Sequence, residues 1–269
     1  MRPRQQVACR AELWASPQQG DMTLVQSSHP ATRVGVCIEH GRNSGLFDAV
    51  RAHYDRYGFY FAESEAARKV FARLSQLGTV LRSIDTASGP ILDVGCGEGR
   101  VYALLGDQQR ARYVGVDFSG GIIARARGRQ PGARFLRGDA TALPVRDATA
   151  ALVICEGVLH HTENPRAALA ELGRATRPGD TIQLSVYNRR ALYYYLFVAI
   201  GPLCFRLANW RWGRAILAAT LFPMVYALLF EPMHLVYGVH MPLGGAWSFF
   251  LDQFAHPRVW FFRRGELHR

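Results

Sequence analysis

Residues 91–100 read Ile-Leu-Asp-Val-Gly-Cys-Gly-Glu-Gly-Arg, a short apolar run carrying Asp93 and followed by glycines at 95, 97 and 99. Such a run reads as a buried strand that passes into a glycine loop and then a helix. Three glycines in five residues let the main chain turn tightly and bring its N–H groups close to a ligand, an approach any Cβ would obstruct. A dinucleotide loop needs a glycine where Arg100 stands, so that a pyrophosphate can sit against a closely packed helix. Gly95-x-Gly97-x-Gly99 therefore suits a nucleoside ligand without phosphates. A second apolar run, Tyr113-Val114-Gly115-Val116, ends in Asp117. A carboxylate at the tip of the neighbouring strand is placed to accept hydrogen bonds from two ribose hydroxyls.

With that pair of motifs the chain resembles the class I S-adenosylmethionine-dependent methyltransferases, and within them the branch that includes the quinone-biosynthesis and many small-molecule enzymes. The resemblance runs in order over residues 88–187. Phe135-Leu136-Arg137-Gly138-Asp139-Ala140 is similar to the family's third strand and acidic turn, and Leu143-Pro144 to the loop before strand four. Ala151-Leu152-Val153-Ile154-Cys155 resembles strand four, and Glu156-Gly157-Val158-Leu159-His160-His161 the signature after it. Arg177-Pro178-Gly179-Asp180 and then Thr181 to Val186 look like helix end, turn and strand five. The resemblance implies S-adenosylmethionine as cofactor. It places Asp93, Gly95, Cys96, Gly97 and Gly99 on the methionine side, Asp117 and Phe118 at the ribose, Asp139 and Ala140 at the adenine edge, and Cys155 and Glu156 at the turn after strand four. Glu98 reads instead as a helix N-terminal residue favoured by the dipole.

Strands near 91, 113, 134, 151 and 181 with helices between them predict a doubly wound, Rossmann-like parallel α/β sheet. Ligands of such sheets bind beyond the carboxyl ends of the strands, where Gly95, Asp117, Asp139 and Glu156 all fall. Around this core, residues 86–188, the chain divides into an irregular or disordered segment 1–43, an N-terminal helical cap 44–85, a hydrophobic helical stretch 189–250 and a C-terminal segment 251–269. In the cap, Phe47, Val50, Tyr54 and Tyr57 recur at helical spacing, as do Val70, Phe71, Leu74, Leu77, Leu81 and Ile84. In the family such helices pack over cofactor and substrate. Tyr54, Tyr57, Tyr60 and Tyr187 are therefore candidate pocket walls, with ordinary aromatic core residues as the alternative reading.

The formal net charge is +11, and Lys69 is the only lysine. A basic balance prompts a nucleic-acid reading. Here the charge is spread along the chain, and its densest run, Arg125, Arg127, Arg129, Arg134 and Arg137, reads as a solvated face without interleaved aromatics. No Asn-Pro-Pro-Tyr-type motif follows strand four, which disfavours RNA or protein as acceptor. Cys9, Cys37, Cys96, Cys155 and Cys204 are odd in number and widely spaced, giving neither a disulfide framework nor a metal site. With no signal-peptide-like apolar segment at the N-terminus, the expectation is a cytoplasmic protein.

Residues 191–205 and 215–230 carry no charged side chain, and Arg206 to Arg214 lies between them. Each run is shorter than the ~20 apolar residues of a spanning helix. They read as a lid over a lipophilic acceptor or a helical addition to the core, with peripheral membrane contact through 191–236 as the alternative. Leu251 to Pro257 and Gly265 to Leu267 resemble the passage leading to the family's last two strands, which the sequence has no room to form before Arg269. The function expected is methyl transfer to an oxygen or carbon of a small, hydrophobic acceptor. A non-catalytic S-adenosylmethionine-binding protein is the alternative. His160 and His161 follow strand four on the acceptor side, and each reads either as a general base or as a structural histidine.

Overall fold

The short strand β1 (Val36–Glu39) precedes the main sheet in the chain. The sheet comprises β2 (Ile91–Val94), β3 (Tyr113–Asp117), β4 (Arg134–Arg137), β5 (Ala150–Glu156) and β6 (Thr176–Ser185), all parallel. This computed structural model describes residues 36–39, 52, 54, 55, 77–232, 235, 243–263 and 266. The spatial order is β4-β3-β2-β5-β6, so the winding reverses between β2 and β5. Helices α1 (Leu77–Thr86), α2 (Asp107–Arg110), α3 (Gly120–Arg129) and α4 (Pro165–Ala175) accompany the strands.

Alternation along the strands builds two apolar layers. Leu92, Val94, Val116 and Val153 pack with Ala168 and Leu172 of α4. Ile91, Tyr113, Leu152 and Ile154 pack with Val80 and Ile84 of α1 and with Ile123 and Ala126 of α3. A sheet buried on both faces needs near-continuous apolar strands, which is what 91–94 and 150–155 supply. Ser119 caps α3 by accepting from Ile122 N at 3.0 Å, and Asn164 caps α4 by accepting from Ala167 N at 3.1 Å, with Pro165 opening that helix.

The helix expected directly after the glycine loop is reduced to one 3₁₀ turn, Tyr102–Leu104, because Leu105 and Gly106 turn extended before α2 restarts the chain. Glu98 accordingly caps no helix. It is buried, and its two oxygens meet Arg125 and Arg129 of α3 at 2.7 Å each, bolting the loop to the next helix. The arginine run is solvated, as read, but also clips the main chain: Arg127 donates to Phe135 O at 2.8 Å and Arg134 to Ala111 O at 2.7 Å.

Beyond β6 the chain does supply one short strand, β7 (Arg258–Phe261), which pairs antiparallel with β1. The β1–β7 ribbon joins the main sheet just past β6, where Phe262 N donates to Tyr187 O and Arg189 N to Phe262 O, both at 2.9 Å. A strand thus lies within the segment 1–43, whose other residues, like 44–51 and 56–76 of the cap, are outside the described residues.

The hydrophobic stretch folds into α5 (Leu192–Ala208), α6 (Gly213–Ala219), α7 (Leu221–Val225) and one π turn, Tyr226–Phe230. Pro223, inside the second apolar run, does not break that run. It sits in the first turn of α7, where its missing N–H is unneeded, and the break falls at Thr220 (φ −119°, ψ −82°). These helices share a core with α8 (Leu243–Phe254), through Cys204, Leu217, Phe222 and Val225 against Ala246, Phe250 and Phe254, so α8 crosses the boundary drawn at 250. Among the described residues no helix is long and apolar enough to cross a membrane.

Candidate functional site

The glycine loop folds back over β3, with Gly95 N and Cys96 N both donating to Val116 O at 2.7 and 3.1 Å. Gly95, Gly97 and Gly99 take φ values of +74°, +56° and +84°, which side-chain-bearing residues rarely adopt. At Gly95 a Cβ would lie 2.0 Å from Val158 Cγ2, whereas at Gly97 it would meet nothing within 4 Å. The middle of the loop is therefore an open cradle. Gly97 N donates to Asp117 Oδ2 at 3.1 Å and Ser119 N to Oδ1 at 3.0 Å. The Phe118 N–H also bonds this carboxylate, so the main chain holds Asp117 in place at the end of β3. Ser119 Oγ in turn donates to Asp55, which ties the cap to this corner.

Three carboxylates converge beside the cradle. Asp93 accepts from the Tyr113 hydroxyl at 2.6 Å, and burial, reinforced by the charges of Glu156 and Asp117, lifts it to about 7 against the Tyr113 bond and Arg100. Burial likewise raises Asp117, opposed by the N–H groups of Ser119 and Gly97. Glu156 is raised by burial and opposed by Arg100, whose guanidinium lies 3.1 Å from Oε2. Its Oε1 is buried with no hydrogen-bond partner among the described residues. Acids held partly toward their neutral forms by burial favour a positively charged guest.

Asp139 stands two residues past β4, and its Oδ1 accepts from Thr141 N and Thr141 Oγ1, both at 2.7 Å. Arg137, at the end of β4, is in register with Asp117, which puts this turn beside the Asp117 carboxylate. Ala140 is buried, and Phe118 is half-buried with its ring 6.0 Å from that of Tyr54. Cys96 and Cys155 serve opposite core layers, and burial holds both thiols protonated, Cys155 pushed up to about 12. Their contribution to a ligand is left to the main chain.

A second constellation follows β5. Gly157 (φ +72°) turns the chain into a 3₁₀ turn, Leu159–His161. His160 is buried, with neither ring nitrogen hydrogen-bonded to a described residue, and its ring stacks on Tyr187 at 3.7 Å. Burial, with His161 adding, lowers its pKa well below the ordinary value, so the imidazole is neutral at pH 7. His161 Nδ1 lies 3.3 Å from Arg258 O, and its ring is 3.9 Å from that of His256 and 6.1 Å from that of Tyr54. Tyr54 is hydrogen-bonded to Asp252, and burial raises its phenol well above the usual range. Gln253 Nε2 donates to the Tyr187 hydroxyl at 2.9 Å and to Asp252 Oδ2 at 3.0 Å, and Tyr193 donates to Gln253 O at 2.6 Å.

The structure thus brings Tyr54 and Tyr187 to the two histidines, while Tyr57 and Tyr60 lie outside the described residues. Asp252, Gln253, His256 and Tyr193 are members that sequence reasoning missed. The available signal was a polar Asp-Gln and a His inside the otherwise apolar run Trp247 to Phe254 and its sequel. Arg100 was read as a missing glycine, and its real part is to partner Glu156. Among the described residues no group of His, Cys, Asp and Glu is arranged to hold a metal ion.

Residues 92–183 match the family described as methyltransferase domain. A demethylmenaquinone methyltransferase of Beutenbergia cavernae is 30% identical over 168 residues, 60% of this chain and 67% of the relative. Its namesake in Clavibacter sepedonicus is 30% identical over 187 residues, 66% of this chain and 73% of the relative. A malonyl-[acyl-carrier protein] O-methyltransferase of Serratia marcescens is 32% identical over 128 residues, 48% of each chain. This chain therefore spans from about half to about three quarters of the length of these three curated relatives.

Proposed function

Since the chain belongs to the S-adenosylmethionine-dependent methyltransferase family, we propose that it transfers a methyl group to an oxygen or carbon of a small, hydrophobic acceptor. One observation carries the reading: an open glycine cradle beside three buried carboxylates lies across the β2 and β5 ends from a buried imidazole, not hydrogen-bonded to any described residue and set among aromatic rings.

The residues fit the cofactor. Asp117, fixed by main-chain N–H groups at the end of β3, is the acceptor for the ribose, and Asp139 and Ala140 border the adenine end. Gly97, Asp93 and the unsatisfied Glu156 Oε1 suit the cationic methionyl end. When bound, S-adenosylmethionine supplies an electrophilic methyl on a sulfonium whose leaving group departs neutral. The chain's own task is alignment, which can contribute ~7 kcal/mol or more. His160 is in the neutral form, the one able to take a proton from an acceptor O–H or C–H. Tyr187, held by Gln253, fixes the plane of that imidazole by stacking. His161, tethered to Arg258 O, spaces the ring of Tyr54. Walls made of Tyr54, Tyr187 and Tyr193 favour a flat, apolar acceptor. The names of the relatives, a demethylmenaquinone methyltransferase and an O-methyltransferase, support a quinone-type acceptor and oxygen as an acceptor atom.

The test is transfer of labelled methyl from S-adenosylmethionine to a panel of naphthoquinols, phenols and carboxylic acids. Label is expected on an aromatic acceptor, and His160→Gln should cut kcat by about a hundredfold while leaving cofactor affinity unchanged. Tight cofactor binding without turnover on any acceptor would favour the non-catalytic binding protein instead.

A further inference from the structure

Helix α5 presents Phe197, Gly201, Cys204 and Ala208 inward, at the spacing of one buried face. Its opposite stripe, Leu192, Tyr195, Ala199 and Leu203, is exposed and reaches a charge only at Arg206. A surface helix ordinarily turns charged and polar residues to that side. The anomaly extends across the subdomain, since ten of the thirteen exposed large hydrophobic side chains among the described residues fall between 192 and 228. Trp210 and Trp212, more than half exposed at 54% and 59%, sit at the turn between α5 and α6. Arg206, Arg211 and Arg214 share that turn, with the Arg211 guanidinium 5.0 Å from the Trp212 ring. Residues 191–230 contain no aspartate or glutamate, so nothing there opposes an anionic surface.

We infer that the outer face of α5, the Trp210–Trp212 turn and α6–α7 docks on an anionic lipid bilayer, lying in its interface without crossing it. Apolar side chains enter the acyl boundary, the indoles sit at headgroup depth and the guanidiniums meet lipid phosphates. The lengths agree, because a 17-residue helix followed by shorter ones suits lying flat. Charge selects the partner: a second copy of this chain would bring the same three arginines to the contact, whereas an anionic membrane complements them. The inference does not depend on methyl transfer, since lipid binding is scored without turnover.

The experiment is flotation of the full chain with vesicles of phosphatidylcholine alone and of equal parts phosphatidylcholine and phosphatidylglycerol. Partition should be about tenfold stronger on the anionic vesicles and fall at high salt. Trp210→Ser with Trp212→Ser, and separately Arg206→Gln with Arg211→Gln, should each weaken it by about tenfold. Quenching of wild-type tryptophan fluorescence by brominated lipid gives a reading independent of any variant's folding. Failure to float, equal binding to both vesicle types, or absence of quenching would overturn the inference. So would a lipid-free dimer abolished by the tryptophan pair, which would assign the face to a second copy.

Discussion

The proposed cofactor half and the proposed acceptor half of the site are built in opposite ways. The first is made of short-range pieces: a glycine loop, strand-end acids and a capped helix, all within residues 93–156 and aligned by a sheet buried on both faces. The second is assembled from pieces far apart in the chain, with Tyr54, His160, Tyr187, Asp252 and His256 meeting only in the folded molecule. Main-chain groups line the first, and side-chain rings shape the second. A local site can keep its chemistry while the region facing it is rebuilt.

Gly95 is where the halves touch, and substituting it breaks the separation most severely. Gly95→Ala drives a methyl into Val158 at the head of the histidine turn and imposes a left-handed backbone on alanine, costing about 3 kcal/mol, or about 10 °C in Tm. Adding Val158→Ala should recover part of that loss in a thermal scan. No recovery would mean the strain is all in the backbone and the halves are uncoupled here.

Asp117→Ala should leave the acceptor half intact and weaken S-adenosylmethionine by about a hundredfold in calorimetry, through the lost hydroxyl bonds and the freed Gly97 and Ser119 N–H groups. Circular dichroism should stay native. A loss of fold would make Asp117 a structural anchor before a ligand contact.

A smaller effect separates the halves by pH. Asp93 stands at about 7 in the folded chain against an ordinary 3.8, so a cationic guest must displace its proton. Cofactor affinity should then rise about tenfold from pH 6 to pH 8, with proton release visible in buffers of different ionisation enthalpy. S-adenosylhomocysteine, lacking the sulfonium charge, should respond less. Without ligand the sign reverses for stability. A raised carboxyl favours folding fully below about pH 4, and that contribution disappears as pH rises through 7. Asp93→Asn should flatten both profiles.

The same contrast explains what was legible in the sequence. Apolar runs ending in Asp93 and Asp117, and glycines at 95, 97 and 99, are signals written within a few residues, so the five parallel strands and the cofactor side could be read directly. The short turn after the loop was hidden because Gly106 and the ion pairs of Glu98 with Arg125 and Arg129 decide it. Asp252, Gln253 and His256 showed only as polar residues in or just after an apolar run, a signal that does not say what they meet. Their part comes from α8 packing against α5, and from β7 placing Arg258 O against His161. The β7 strand was itself obscured, since its partner is a strand from the other end of the described chain.

That ribbon has a bearing on the order of folding. Val36 to Glu39 can pair with Arg258 to Phe261 only after nearly the whole described chain has been made and its two ends have met, the slowest kind of closure. The parallel sheet can assemble earlier around β2 and β5. A nascent chain would therefore hold the glycine cradle before Arg258 O comes to His161, so the two regions of the site are completed at different times.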